Sequence, residues 1–172
     1  MGQRFREHNI GSRLFAYCWM EATEREYTYL SLSGKYIKCF DIFGSIFYRT
    51  LWQAGIQNPR EFASDDDCDF MLAAYRKLKP REGLDKCLET LRAGGFTVWC
   101  LTAGDTERVN GYLQAAGVDF PPENFVSCDT IGIGKPDPKS YQHILDKFPK
   151  DDLEVWFAAG HAWDSSAAGQ VG

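Results

Sequence analysis

The change of apolar spacing near Pro80 constrains this chain more than any other feature. Ahead of Pro80, apolar residues recur at helical intervals throughout; after it, short continuous apolar runs alternate with helical stretches. A helix buries a stripe spaced by three and four residues, whereas a strand covered on both faces needs an unbroken run. The 172 residues therefore divide into an all-helical region over 12–79 and an α/β region over 80–172.

In the first region the spacing predicts a helix over 13–32, with Leu14, Cys18, Ala22, Tyr29 and Leu32 on one face and Gly34 as its stop. A second helix is expected over 40–54, carrying Phe40, Phe43, Phe47, Leu51 and Ala54, closed by Gly55. Ser64 followed by Asp65, Asp66 and Asp67 reads as a cap and acidic first turn of a helix reaching residue 78. In the second region Leu84, Cys87, Leu88 and Leu91 mark a helix over 82–93, and residues 96–101 form a strand buried on both faces. A helix over 106–116, a strand over 125–127, a helix over 138–148, a strand over 155–159 and a helix opening at Asp164 follow. This alternation predicts an α/β fold with a parallel sheet, whose ligand site lies at the carboxyl ends of the strands.

Composition removes several classes of function. A net charge of -5 gives no basic face for nucleic acid. No apolar run approaches the roughly 18 residues of a membrane span. The first residues are charged and have no apolar core of a secretion signal, and Arg6 stands where a myristoylation motif needs Ser or Thr. None of the six cysteines forms a C-x-x-C pair, so a zinc ribbon is not indicated and reduced thiols in a cytoplasmic protein are expected.

The three expected strand ends each carry a polar group. Thr102-Ala103-Gly104-Asp105 offers a hydroxyl followed by backbone N–H groups at a helix start, which suits an oxyanion or carboxylate; alternatively Thr102 or Asp105 only caps the helix. Lys135 lies between glycines and a rigid Pro136-Asp137-Pro138 turn, placed to neutralise an anion, or else solvated as an ordinary loop lysine. It does not open a helix in the phosphate-cradling pattern G-x-x-x-x-G-K-[ST]. At the third end, Asp164 can pair with Lys135, hold water or metal, or cap a helix, and His161 is a general base or a structural residue.

Hydroxyl, lysine and acid at successive strand ends, in that order, resemble the motifs of the haloacid dehalogenase (HAD) superfamily. The likeness runs from about Leu14 to Asp164 and is most specific to type II 2-haloacid dehalogenases. CLTAGD resembles their hydroxyl motif at Thr102; GKPDPKSY their lysine motif, with Tyr141 following Lys135; HAWDSSAA their acidic motif, with Trp163 and Asp164 intact. EREYTYLSLSGKY is similar to the first helices of their cap. The resemblance implies a helical cap over 12–79 on a partial Rossmann-like HAD core over 80–172, and hydrolysis through an aspartyl ester. It implies catalytic roles for Thr102, Lys135, Asp164 and His161, and a substrate lining of Tyr141, Trp163, Ala103 and Gly104. It further implies a small anionic substrate, a homodimer, and neither cofactor nor metal. Mg²⁺ enters only in a phosphatase-like case, for which Ser165 and Ser166 supply no second acid.

Some positions depart from that pattern. The nucleophile motif D-x-x-G-[TS] is matched at Asp41-Ile42-Phe43-Gly44-Ser45, but Lys38 interrupts the run before it and helical periodicity continues after it. Residues 24–36 already match cap helices that follow the nucleophile, so Asp41 is expected to be a decoy. A first strand is expected ahead of Met1 and further core beyond Gly172. Glu21 occupies the position of an arginine that binds the substrate carboxylate, which disfavours a 2-haloacid. Ala159, His161 and Ala103 replace Ser, Asn and Asn. Two other readings follow: a non-catalytic relative that binds through the same pocket, and a lyase or isomerase using His161 as base.

Overall fold

Aromatic side chains settle how the first helices lie. The computed structural model describes residues 1–118, 120–148 and 154–172. It divides into one unit of Met1–Tyr29 with Ile37–Leu78 and another of Leu30–Tyr36 with Lys79–Gly172.

In the first unit α1 (Gly2–Glu7) inserts Phe5, and α2 (Ser12–Leu32) buries Phe15, Trp19, Ala22, Thr23 and Tyr27. The expected inner face of α2 is thereby corrected. Leu14, Tyr29 and Leu32 are 65%, 64% and 56% exposed and Cys18 is exposed too; of the five, only Ala22 is buried. Large rings remove more apolar area from water than a leucine does, so the face holding Phe15, Trp19 and Tyr27 turns inward. Trp19 is fully buried, and its indole N–H donates to the Phe43 carbonyl at 3.0 Å.

The single helix expected over 40–54 is two, α3 (Cys39–Ser45) and α4 (Phe47–Gln53), interrupted at Ile46. Gly44 and Ser45 weaken the helix there, and the Ser45 hydroxyl donates back to the Ile42 carbonyl at 2.8 Å. Phe43 and Phe47 both meet Trp19, with centroids 4.1 and 5.0 Å away. After α5 (Pro59–Phe62), α6 (Asp65–Tyr75) starts at the expected cap: Ser64 and Asp67 form a reciprocal capping box. Arg4 grips Asp67 in a fork of 2.6 and 2.9 Å.

The second unit runs α7 (Leu84–Ala93), β1 (Cys100–Thr102), α8 (Thr106–Ala115), β2 (Phe125–Ser127), α9 (Cys128–Ile131), α10 (Pro138–Leu145) and α11 (Ala162–Ala168). β1 and β2 pair in parallel, with Leu101 opposite Val126 and Thr102 opposite Ser127. Leu88, Val118 and Phe120 form a buried cluster, backed by Val98, Cys100, Leu113 and Phe125. This is a partial Rossmann-like α/β core, a small parallel sheet among helices.

Two strand expectations are corrected. The 96–101 run pairs only from Cys100 onward, and Phe96 is 50% exposed rather than buried on both faces. Residues 155–159 join no ladder among the described residues, and Val155 and Trp156 are 49% and 72% exposed. An apolar run supplies only one side of a ladder; a strand also needs a neighbouring backbone to pair with. No helix among the described residues is long and apolar enough to cross a membrane.

Candidate active site

Parallel pairing brings Thr102 and Ser127 level at the carboxyl ends of β1 and β2. The Thr102 hydroxyl accepts the Gly104 N–H at 2.9 Å, and Ser127 donates to the Gly104 carbonyl at 2.7 Å. Gly104 is therefore held from both sides. A Cβ there would overlap Arg108 Nη2 and stand 2.8 Å from Val109 Cγ2, so any larger residue would force those side chains to move. Asp105 caps α8, accepting the Arg108 backbone N–H at 2.8 Å and its Nε–H at 2.9 Å. Burial alone would raise the Asp105 pKa, but the bonds from Arg108 outweigh it and hold the carboxyl below its usual range.

The second cluster is assembled from three places in the sequence. Lys135 follows Gly134 in the loop after α9. Asp137 caps α10 by accepting the Lys139 N–H at 2.9 Å, which puts Tyr141 in the helix's first turns. Asp164 lies in the first turn of α11, whose start is the His161 carbonyl accepting the Asp164 N–H at 3.1 Å. Lys135 Nζ donates to Asp164 Oδ2 at 3.0 Å, and the Tyr141 hydroxyl donates to Oδ1 at 2.5 Å. Both charged groups are 8% exposed and Tyr141 is 2% exposed. Burial first, and then the bond to Asp164, pushes the Tyr141 phenol well above its ordinary pKa, so it remains a donor.

Aromatic rings close around this pair. Lys135 Nζ lies 5.8 Å from the Tyr141 ring centre and 5.4 Å from that of Phe157, and the two rings meet edge to face at 5.5 Å. The charge also reaches β1: burial raises the Cys100 thiol pKa while Lys135 draws it down. Such a lysine is a fixed cation in poorly solvated surroundings. Asp164 takes one of its three N–H donors, leaving the ammonium able to stabilise negative charge on a bound group.

The structure thus brings together Lys135, Tyr141 and Asp164. Thr102, Ala103 and Gly104 form the β1 turn, and Thr102 is engaged within that turn. His161 and Trp163 stack on each other at 5.6 Å with planes 16° apart, on the exposed side of the α11 start. Among the described residues no side-chain hydrogen bond joins Thr102, His161 or Trp163 to the lysine cluster. Asp41 lies in the first turn of α3, exposed and at no strand end. Glu21 lies on α2, where its negative charge raises the pKa of the Tyr17 phenol one turn away. Sequence reasoning missed Phe157 and Ser127 as parts of the site. Phe157 sat inside an apolar run read only as strand, and Ser127 was the unremarked last residue of another. No group of three or more His, Cys, Asp or Glu side chains among the described residues is placed to hold a metal ion.

Comparison with known proteins places this chain in a family. A family model of haloacid dehalogenase-like hydrolases matches residues 20–172. The chain is 33% identical over 104 residues to (S)-2-haloacid dehalogenase 4A of Burkholderia cepacia, covering 60% of this chain and 45% of that protein. It is 35% identical over 102 residues to (S)-2-haloacid dehalogenase 1 of Pseudomonas sp. (strain CBS-3), covering 59% and 45%. These alignments thus span under half the length of either relative. Among solved structures, a dehalogenase in an intermediate complex superposes with a TM-score of 0.76 at 24% identity, over 99% of this chain and 75% of that one. L-2-haloacid dehalogenase from Xanthobacter autotrophicus with covalently bound chloropropionic acid gives 0.71 at 20%, over 90% and 60%. At those identities the superpositions establish a shared fold, while the family model covers most of the sequence. This chain belongs to the haloacid dehalogenase-like hydrolases.

Proposed function

We propose that this chain provides the cation and acid of a hydrolytic site of the dehalogenase type, acting on a small anionic substrate. The buried Lys135–Asp164–Tyr141 network carries the reading. Maintaining an ion pair at 8% exposure costs desolvation that an apolar pair would avoid, which a binding or catalytic role accounts for. In a reaction of this type an aspartate carboxylate, which none of the site residues named here supplies, displaces the leaving group and forms an ester. Water then attacks the aspartyl carbonyl, releasing the hydroxylated product and restoring the carboxylate. Lys135 offsets negative charge on the nucleophile and substrate, Asp164 fixes Lys135, and Tyr141 fixes Asp164. The Thr102 turn, with the Ala103 and Gly104 backbone, receives the substrate's anionic group. Trp163 borders the entrance, and His161 orients the water. Asp41, exposed on a helix, is not given the nucleophile's role. The chemistry needs no metal or other cofactor.

The substrate class is tested by incubating the protein with 2-haloacids and with simple phosphate esters, measuring released halide and phosphate. Halide release that falls at least about a hundredfold in Lys135→Met supports the reading. No turnover of either class, together with saturable binding of a small carboxylate, would replace it with the non-catalytic one. Activity that survives Asp164→Asn but is lost in His161→Ala would favour a lyase or isomerase.

The partner reading is a second copy of this chain. The exposed face of α2 carries Leu14, Tyr17, Glu21, Arg25 and Tyr29, and an antiparallel copy would set Glu21 beside Arg25 of its mate. Light scattering on the wild type and Tyr17→Glu separates dimer from monomer. Cysteines set in apolar stretches and never in a C-x-x-C pair support the cytoplasm as its compartment.

A further inference from the structure

The loop that delivers Lys135 closes on itself through the Asp137 N–H, which donates to the Gly134 carbonyl at 3.1 Å. It leaves α9 through Gly132, whose φ of +69° is left-handed, and reaches Lys135 through Gly134. Two side chains from a distant part of the sequence anchor it. The Gly134 N–H donates to Ser31 Oγ at 2.8 Å, on the residue immediately before Lys135. On α9, the helix that leads into the loop, the Tyr36 hydroxyl donates to Asp129 Oδ1 at 2.5 Å. Ser31 and Tyr36 both belong to Leu30–Tyr36, the one stretch of the first eighty residues, apart from Lys79–Pro80, that is grouped with the second unit.

We propose that Ser31 and Tyr36 are positioning residues that, through Gly134 and Asp129, set the Lys135 ammonium against Asp164. Ser31 acts on the loop backbone and Tyr36 on a carboxylate of α9, the helix that leads into the loop. A glycine-bearing loop samples many conformations unless bonds outside it select one. Here one bond fixes the peptide just ahead of the lysine and the other fixes the loop's origin. The inference rests on the reading of Lys135 as the site's fixed cation, but its test does not depend on turnover.

The test is amine acylation of the full chain, followed residue by residue by mass spectrometry. In the wild type, buried Lys135 should react far more slowly than exposed Lys139. Ser31→Ala and Tyr36→Phe should each speed Lys135 acylation about three- to tenfold, the effect of one lost hydrogen bond on a local opening equilibrium. Lys139 should not change, and Ser31→Thr, which keeps the hydroxyl, should restore protection. The Cys128 thiol, fully buried where the loop begins, should stay unreactive in all variants. Unchanged Lys135 acylation in both variants would overturn the proposal. So would Cys128 becoming reactive in step with Lys135, because the two side chains would then only hold the fold together. Faster Lys135 acylation in a protein that hydrolyses neither haloacids nor phosphate esters would support the positioning role and remove the hydrolase reading.

Discussion

The two units use their interiors differently. The first buries rings: Phe5, Phe15, Trp19, Phe43, Phe47 and Phe62, each within 4.1–6.3 Å of another ring. The second buries few large apolar side chains in its cluster, and it also buries Ser127, Lys135, Ser140 and Asp164. Apolar burial stabilises without needing a partner, whereas a buried charge is tolerated only with its counter-ion and hydrogen bonds in place. The contrast separates a unit built for cohesion from one that accepts a cost in stability to keep a charged pair buried.

The largest expected effect lies in the first unit. Trp19→Ala removes a fully buried ring together with the bond to Phe43, and should lower unfolding free energy by about 3 to 5 kcal/mol in urea titrations. A loss below about 1 kcal/mol would mean the aromatic cluster is not what holds that unit. In the second unit, Asp164→Ala strands Lys135 and should cost about 3 kcal/mol. Replacing the network together, as Lys135→Met, Asp164→Leu and Tyr141→Phe, should be neutral or stabilising while abolishing turnover. If the triple variant is as unstable as the single one, the pair serves the fold and the comparison fails.

The smallest effect is a matter of pH. The Arg4 side chain, followed by the Ser64 backbone N–H, holds the Asp67 carboxyl down at about 2. A folded pKa below the unfolded one adds stability that is present above the unfolded value, near 4, and is lost as pH falls toward 2. With the Asp67 side chain 22% exposed, solvent screening leaves about 1 kcal/mol. Acid titration of Asp67→Asn should therefore lack that step, with a gentler decline between pH 4 and pH 2.

Much of the site was readable because its residues sit beside structural punctuation. Thr102 closes a strand before a helix cap, Lys135 stands between glycine and proline, and Asp164 opens a helix; each neighbourhood has a local signature. Helix positions were similarly open to periodicity, as the Ser64 cap and the span of α2 show. The inner face of α2 was not, because Leu14 and Trp19 fit one period equally well and only competition for buried space chooses between them. Phe157 was hidden for a related reason: its run suggested a strand, but its role comes from the edge-on contact with Tyr141.

The sequence by itself determined where most helices begin, where β1 and β2 end, and the residue types offered beside those ends. These depend on spacing and backbone preference, which act over a few residues. Tertiary structure alone decided that Lys135, Tyr141 and Asp164 form one buried network, that β1 and β2 pair while 155–159 does not, and that Ser31 and Tyr36 reach the Lys135 loop. Ion pairing, ladder formation and burial each require a partner distant in the chain, and no local pattern specifies which partner arrives.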